Sequence, residues 1–358
     1  MITQNKGEWS EMYVFLKLLG DGVLYAGDGE LNKIPELYYP LIKILRKEKD
    51  DIKYYVKEHS RIKILSENGQ CLLKFPCEEF MHKAEVLLKA IKEGHNTFSV
   101  PVIEDFMQLI LCSKVKADSY DKSDITVVLH DRKICSNETF GFSIKSRLGN
   151  PSTLLNAAKA TNFIFEIRGN LTQEQIEEIN NTETTTKFRD RLAKLKELGC
   201  ELSYYETQNE TFTANMQMTD TQLPLIIAEY LKQYYSGLGT TVKELSSIVK
   251  KLNPCGLNTT LPHNYYAHKI KTFLTDVALG MTPARPWSGD FQATGGYIVV
   301  REDGEILCYH IYNHNEFKEY LFNNTRLETP SASRHDFGYV FTEIEKNFIK
   351  LNLQIRFI

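Results

Sequence analysis

"TFGFSIKSRLG", residues 139–149, sets a lysine inside an alternating apolar run. Side chains on a strand point to opposite faces in turn, so Phe142 and Ile144 share one face while Ser143, Lys145 and Arg147 share the other. An ammonium placed there is either half of an ordinary ion pair at a sheet edge or a working group. The preceding segment "DITVVLH", 124–130, also reads as a strand and opens on Asp124. A polar turn through residues 131–138 would carry that carboxylate to Lys145. An acid and a lysine on adjacent strand ends suit metal-assisted phosphodiester hydrolysis. The carboxylate holds Mg²⁺, which takes oxygen ligands and keeps several waters, while the lysine orients or helps deprotonate the attacking water and balances charge.

Beyond the lysine, "PSTLLNAAKA" (151–160) reads as a helix and "NFIFEI" (162–167) as a strand. Strand, strand, helix, strand makes an α/β core. A helix over "TKFRDRLAKLKELG" follows, with Phe188, Leu192, Leu195 and Leu198 as its inward stripe. Towards the N-terminus, "GEWSEMYVFLKLLGDG" puts Trp9, Met12, Leu16 and Leu19 on one helical stripe ending at Gly20, with Glu8 and Glu11 on another flank. Short strands come next over "IKYYVKEHSRIKILSENGQCLLKFP" (52–76), the last two joined at Asn68-Gly69, a hairpin signal. Two amphipathic helices, "CEEFMHKAEVLLKAIKEG" and "PVIEDFMQLILC", then lead into "KADSYDKS". The final third is mainly helical to Met281, then turns to strands, with a hairpin at Asp303-Gly304 and a strictly alternating "IKLNLQIRF" at the end.

Composition narrows the class. With 358 residues, 42% hydrophobic and 25% charged, the chain can bury a large core, and no apolar run reaches the roughly 20 residues that span a bilayer. The opening "MITQNKGEWSE" has acid where a secretion signal would be apolar, and the seven cysteines form no CxxC. The expectation is a cytoplasmic protein with free thiols and no membrane partner. A net charge of -3 announces no global attraction to nucleic acid, although local basic patches suffice for phosphate binding.

Asp124 with Ser143-Ile144-Lys145 resembles the PD-(D/E)xK nuclease signature in its variant with serine two residues before the lysine. "GEWSE", "SIKSRLGNPSTLLNAAKATNF", "ATGGYIVVREDGEILCYHIY", "TPSASRHDFG" and "KLNLQIRF" together resemble the HpaII family of type II restriction endonucleases across essentially the whole chain. The resemblance implies a PD-(D/E)xK-type core, a mixed sheet flanked by helices with additional α and β regions. It also implies Mg²⁺-dependent cleavage of double-stranded DNA at the palindrome CCGG, and a partner methyltransferase that protects host sites. It makes Asp124 the metal-binding acid, Lys145 the catalytic lysine, Ile144 a ligand through its backbone oxygen, and Ser143 the member that departs from the usual acid. The second acid must then come from elsewhere. Glu11 is preferred and Glu8 is its nearest rival, with Asp131, Glu138 and Glu166 also open. The parity of Glu138, shared with Phe140 and Phe142, points it away from Lys145.

Arginine matches guanine O6 and N7 bidentately in the major groove, so Arg147, Arg189, Arg191, Arg334 and His335 are the candidate DNA contacts, with Gln292 and Asn313 as further donors. For Arg189 and Arg191 the plainer reading is a solvated basic helix face. The chain divides as an N-terminal region 1–115 contributing its first helix to the core, a catalytic core 116–206, and a helical then β-containing region 207–358 for recognition and scaffold. A palindromic target favours a two-fold homodimer, with a monomer nicking each strand in turn as the alternative. The rival function is a sequence-specific DNA-binding protein with an inactive nuclease core.

Overall fold

The computed structural model of the chain describes residues 2–48, 51–115, 123–132, 135–291 and 294–358. It is a mixed α/β protein, with eleven α-helices and four sheets among the described residues. Contacts group the chain into two compact units, Met1–Ser152 with Gln292–Tyr320, and Thr153–Phe291 with Leu321–Ile358. Their limits do not coincide with the sequence divisions at 115 and 206. No helix among the described residues is long and apolar enough to cross a membrane.

The first unit is built on a nine-stranded sheet. Val23–Gly27, Ile306–His310, Gly296–Val300, Ser136–Ser146, Ile125–Asp131 and Lys33–Glu48 follow one another in it, and Asp51–Glu58, Arg61–Leu65 and Cys71–Pro76 extend it as an antiparallel meander. Val23–Gly27 also pairs with Lys33–Glu48, which closes the first group on itself. Two pairings are parallel, Ser136–Ser146 with Gly296–Val300 and Ile306–His310 with Val23–Gly27. The hairpins expected at Asn68-Gly69 and Asp303-Gly304 both form.

Helix Lys6–Asp21 packs into this unit's core, with Trp9, Met12, Leu16 and Leu19 fully buried as the stripe predicts. Val14, Phe15 and Leu18 are equally buried, so the helix is apolar nearly all round and is enclosed. It runs past Gly20. Its left-handed cap is Gly22, at φ 71°, whose N–H donates to the Leu18 carbonyl. Gly20 instead permits close approach of a second helix, Cys77–Glu93, because a Cβ there would lie 2.6 Å from the Met81 side chain.

The second unit holds a four-stranded sheet in the order Glu201–Thr207, Asn162–Arg168, Lys346–Asn352, Val340–Glu343, and a three-stranded one of Thr153–Leu155, Ile355–Phe357 and Thr325–Leu327. Four expectations are corrected here. "PSTLLNAAKA" is not a helix, since Thr153–Leu155 is drawn into a strand by Ile355–Phe357, and only Lys159–Thr161 makes a short 3-10 turn. The Asn162–Arg168 strand belongs to this unit's sheet and not to the sheet of Lys145. The terminal alternation also breaks at Leu353-Gln354, sending Lys346–Asn352 and Ile355–Phe357 into different sheets. Leu198 is 40% exposed, so the inward stripe of helix Lys187–Glu197 stops at Leu195.

Candidate active site

The antiparallel ladder between Ile125–Asp131 and Ser136–Ser146 ends at the pair Ile125 and Phe142. Beyond it the lysine strand keeps Gly296–Val300 on one side, while Asp124 closes the end of the ladder on the other. The Asp124 N–H donates to the Phe142 carbonyl at 2.8 Å. Its Oδ2 accepts from the Ile144 N–H at 2.7 Å and from the Ser143 hydroxyl at 3.0 Å. Both bonds fall on Oδ2, which leaves Oδ1 to another donor or to a cation. In a strand a residue's N–H and C=O point to the same side, so the Ile144 carbonyl faces the same notch. Ser143 thereby finds a reason: its hydroxyl orients the Asp124 carboxylate, where a second carboxylate would repel it.

Lys145 stands on the Ser143 face, half-buried. Burial lowers the pKa of its ammonium below the ordinary lysine value, while Asp124 and then Glu11 act in the opposite sense. Its Nζ lies 5.0 Å from the centroid of the Tyr297 ring. Asp124 and Lys145 are therefore on one side of the sheet, as the strand parity requires.

Glu11 is brought in by its neighbour in the helix. The Ser10 hydroxyl, fully buried, is 2.7 Å from both the Lys6 carbonyl and Ser146 Oγ, and this ties the helix to the lysine strand. Glu11 lines a cleft of about 790 Å³ together with Ile144, Ser146, Gly149, Asn150 and His95. Glu8 has another task. Its carboxylate accepts from the Asn5 N–H at 3.1 Å while Asn5 Oδ1 accepts from the Glu8 N–H at 3.0 Å, a capping box at the helix start.

The remaining acids lie elsewhere. Asp131 is buried at the far end of the same strand pair, opposite Ser136. Glu138 accepts from the Ser136 hydroxyl at 2.5 Å and keeps the parity that turns it from Lys145. Glu166 is in the second unit, where its bond to Lys346, 2.8 Å away, lowers its pKa. Among the described residues no group of three or more His, Cys, Asp or Glu side chains converges as a metal cage. The donors available at the notch are instead Asp124 Oδ1 and the Ile144 carbonyl, with Glu11 in the cleft that Ile144 also lines, an all-oxygen set of the kind a hard, hydrated divalent cation takes.

The DNA-contact candidates fare unevenly. Arg147 is half-buried in the first unit, its N–H bound to the Val300 carbonyl at 2.9 Å, and it lines a cleft with Glu30, Asn32, Arg301 and Asp303. Arg189 and Arg334 are exposed, and His335 is half-buried in the short helix Ala332–His335. Arg191 is corrected. It is 0% exposed, and its guanidinium donates to the carbonyls of Gly338 (2.6 Å), Asn180 (2.7 Å) and Thr182 (3.0 Å), so it neither meets solvent nor offers a face to a duplex. Asn313 donates to the Tyr39 hydroxyl at 3.0 Å. Gln292 lies outside the described residues. Tyr297 and the Ser10–Ser146 link went unread in the sequence, because both depend on pairing between distant segments.

A sheet end that gathers a fixed carboxylate, a carbonyl oxygen and a half-buried lysine is equipped for cation-assisted hydrolysis of a phosphodiester. The profile of the HpaII restriction endonuclease family matches residues 5–357, and the chain belongs to that family. It is 44% identical over 356 residues to the type II restriction enzyme HpaII of Haemophilus parainfluenzae, across 99% of this chain and 98% of that protein. No solved structure matches it. The resemblance to the HpaII family is thus established, and the protein is a site-specific endonuclease that binds and cuts DNA as the restriction half of a restriction-modification system. Type II restriction endonucleases generally need a divalent metal.

Proposed function

We propose that the enzyme hydrolyses both strands of duplex DNA at CCGG with Mg²⁺, using a PD-(D/E)xK-type core whose variant acid position is Ser143. The observation that carries this reading is the pair of hydrogen bonds that Asp124 Oδ2 accepts from the Ser143 hydroxyl and the Ile144 N–H, which leaves Oδ1 for a cation beside Lys145. Asp124, the Ile144 carbonyl and Glu11 would hold the cation, which would supply charge to offset the phosphate and to acidify a water. Lys145 orients the attacking water and balances the charge that grows on the phosphate oxygens; its lowered pKa suits it to take up a proton as well. Ser143 keeps Asp124 in place. Arg147, Arg189, Arg334 and His335 are the side chains proposed to touch DNA. Of the segment 116–206, the part up to Ser152 works with the first helix and the strand Gly296–Val300, and the rest of 207–358 serves recognition and scaffold. Two copies on one palindrome make the working species, paired in a cytoplasmic system with a methyltransferase that marks the same site.

The test is digestion of a plasmid of known sequence with Mg²⁺ by wild type, Lys145→Ala, Asp124→Ala and Glu11→Gln. Discrete fragments ending at CCGG from wild type, and intact plasmid with either alanine variant, are the expected result. Fragments mapping to another sequence would remove the proposed target, and full cleavage by Asp124→Ala would remove the proposed site.

A further inference from the structure

Lys145 carries its charge on a flexible four-carbon stem, and the anions that steer it are Asp124 and Glu11. In the reading above those carboxylates also hold the cation. Once they do, their pull on the ammonium is largely cancelled, and the cation itself repels it. A lysine that must remain at the notch through the reaction needs a partner that a cation does not neutralise. The face of an aromatic ring is such a partner, because its quadrupole attracts an ammonium without carrying net charge.

Tyr297 occupies that place. It is paired in parallel register with Ser143, so its side chain stands on the face shared by Ser143 and Lys145, one pleat away from the lysine. The ring is 3% exposed, and its centroid is 5.0 Å from Lys145 Nζ. Phe317, fully buried, meets it edge-on at 5.2 Å, which fixes the ring plane from behind. We propose that Tyr297 is a positioning residue of the cleavage reaction, its ring face holding the Lys145 ammonium at the notch when the carboxylates are engaged by the cation. The inference rests on Lys145 serving the reaction.

Ring electronics can be changed without changing shape. Tyr297→Phe should cleave a CCGG duplex within about two-fold of wild type, since the ring face is retained. Replacing that phenylalanine by mono-, di- and trifluorophenylalanine withdraws charge from the face, and single-turnover cleavage should fall stepwise. Tyr297→Leu should lose about 10- to 30-fold, the worth of a desolvated contact of this kind, with duplex binding in the absence of Mg²⁺ unchanged. Tyr309→Leu is the packing control. Its ring is equally buried on the same face but stacks on Tyr320 at 4.1 Å, so it should lose stability yet keep the cleavage rate. Fluorinated variants that all cleave like Tyr297→Phe overturn the proposal, as does a Tyr297→Leu that cleaves at the wild-type rate while Lys145→Ala is dead. A Lys145→Ala that cleaves normally removes the reading of the site itself.

Discussion

A basic side chain in each unit is shielded from solvent, Arg191 completely and Lys145 partly, and the two are treated in opposite ways. Arg191 in the second unit is met by a fan of backbone carbonyls, with Glu183 3.5 Å away and the Tyr339 ring 4.3 Å from its guanidinium carbon. Lys145 in the first unit is steered by the fields of two carboxylates and by a ring face, and burial holds its pKa down. A buried charge met by several fixed backbone carbonyls rigidifies its surroundings, and the terminal nitrogens of Arg191 tie Gly338 to the Asn180–Thr182 turn, while its Nε has no partner among the described residues. A partly buried charge whose environment disfavours the charged form is a candidate for chemistry.

That contrast is broken most directly by giving both positions the same substitution. Lys145→Met should reduce cleavage by about 100- to 10,000-fold, the range for loss of a proton-handling side chain, while urea unfolding is unchanged or slightly more resistant. Arg191→Met should do the reverse. It strands several carbonyls at once, so unfolding should be easier by about 3 kcal/mol or more, with cleavage of the surviving folded protein within a few-fold of wild type. If both variants lose stability alike and neither loses rate selectively, the distinction between the two cations is false.

A third buried basic group sharpens the comparison by being held neutral. His310 is 0% exposed, among Tyr39, Phe140, Phe142 and Tyr312, and its Nδ1 accepts from the Tyr312 N–H at 3.0 Å. Burial takes its pKa from 6.5 down to about 4, opposed weakly by Asp131. Between those values the unfolded chain binds a proton and the folded one does not, so stability falls as pH drops through that window. At about 1.4 kcal/mol per pH unit the loss approaches roughly 3 kcal/mol by pH 4. His310→Phe should flatten the acid limb of a stability-against-pH curve measured by urea unfolding. An unchanged limb would place the acid sensitivity in other groups.

What the sequence disclosed of this arrangement follows the range of the interactions. Asp124 and Lys145 were legible because strand parity is local, and the Asn68-Gly69 and Asp303-Gly304 hairpins because turn chemistry is local. The first helix was legible from its stripe, though Gly20 was misread as its end, since only the packing of Met81 explains that glycine. Lys33–Glu48 was missed as a strand because Pro35 and Pro40 interrupt it, and its pairing passes from Val23–Gly27 to Ile125–Asp131 just after Pro40. Thr153–Leu155 looked helical on composition and was claimed by a strand some 200 residues further on. Arg191 reads from the sequence as a DNA contact or a solvated helix face because it lies off the apolar stripe, and no local signal marks the carbonyls it reaches. Tyr297 stood in "GGYIVV" as one more apolar strand residue until register set it beside Ser143.

The finest prediction separates two glutamates three residues apart on one helix. Glu11 lines the cleft beside Ile144 and acts electrostatically on Lys145, whereas Glu8 is spent on the Asn5 capping box. Glu11→Gln keeps the shape and removes the charge, so the Mg²⁺ concentration for half-maximal cleavage should rise about ten-fold, roughly the weight of one charged oxygen ligand among several. Thermal unfolding without metal should scarcely move. Glu8→Gln should show neither effect strongly, because glutamine also closes a capping box. Glu8→Ala should lower stability by about 0.5–1 kcal/mol, as loss of half a cap does, and leave the Mg²⁺ titration where it was. A Glu8→Ala enzyme that needs more Mg²⁺ while Glu11→Gln does not would reverse the assignment. The acid that replaces the one absent at Ser143 would then sit one turn nearer the helix start.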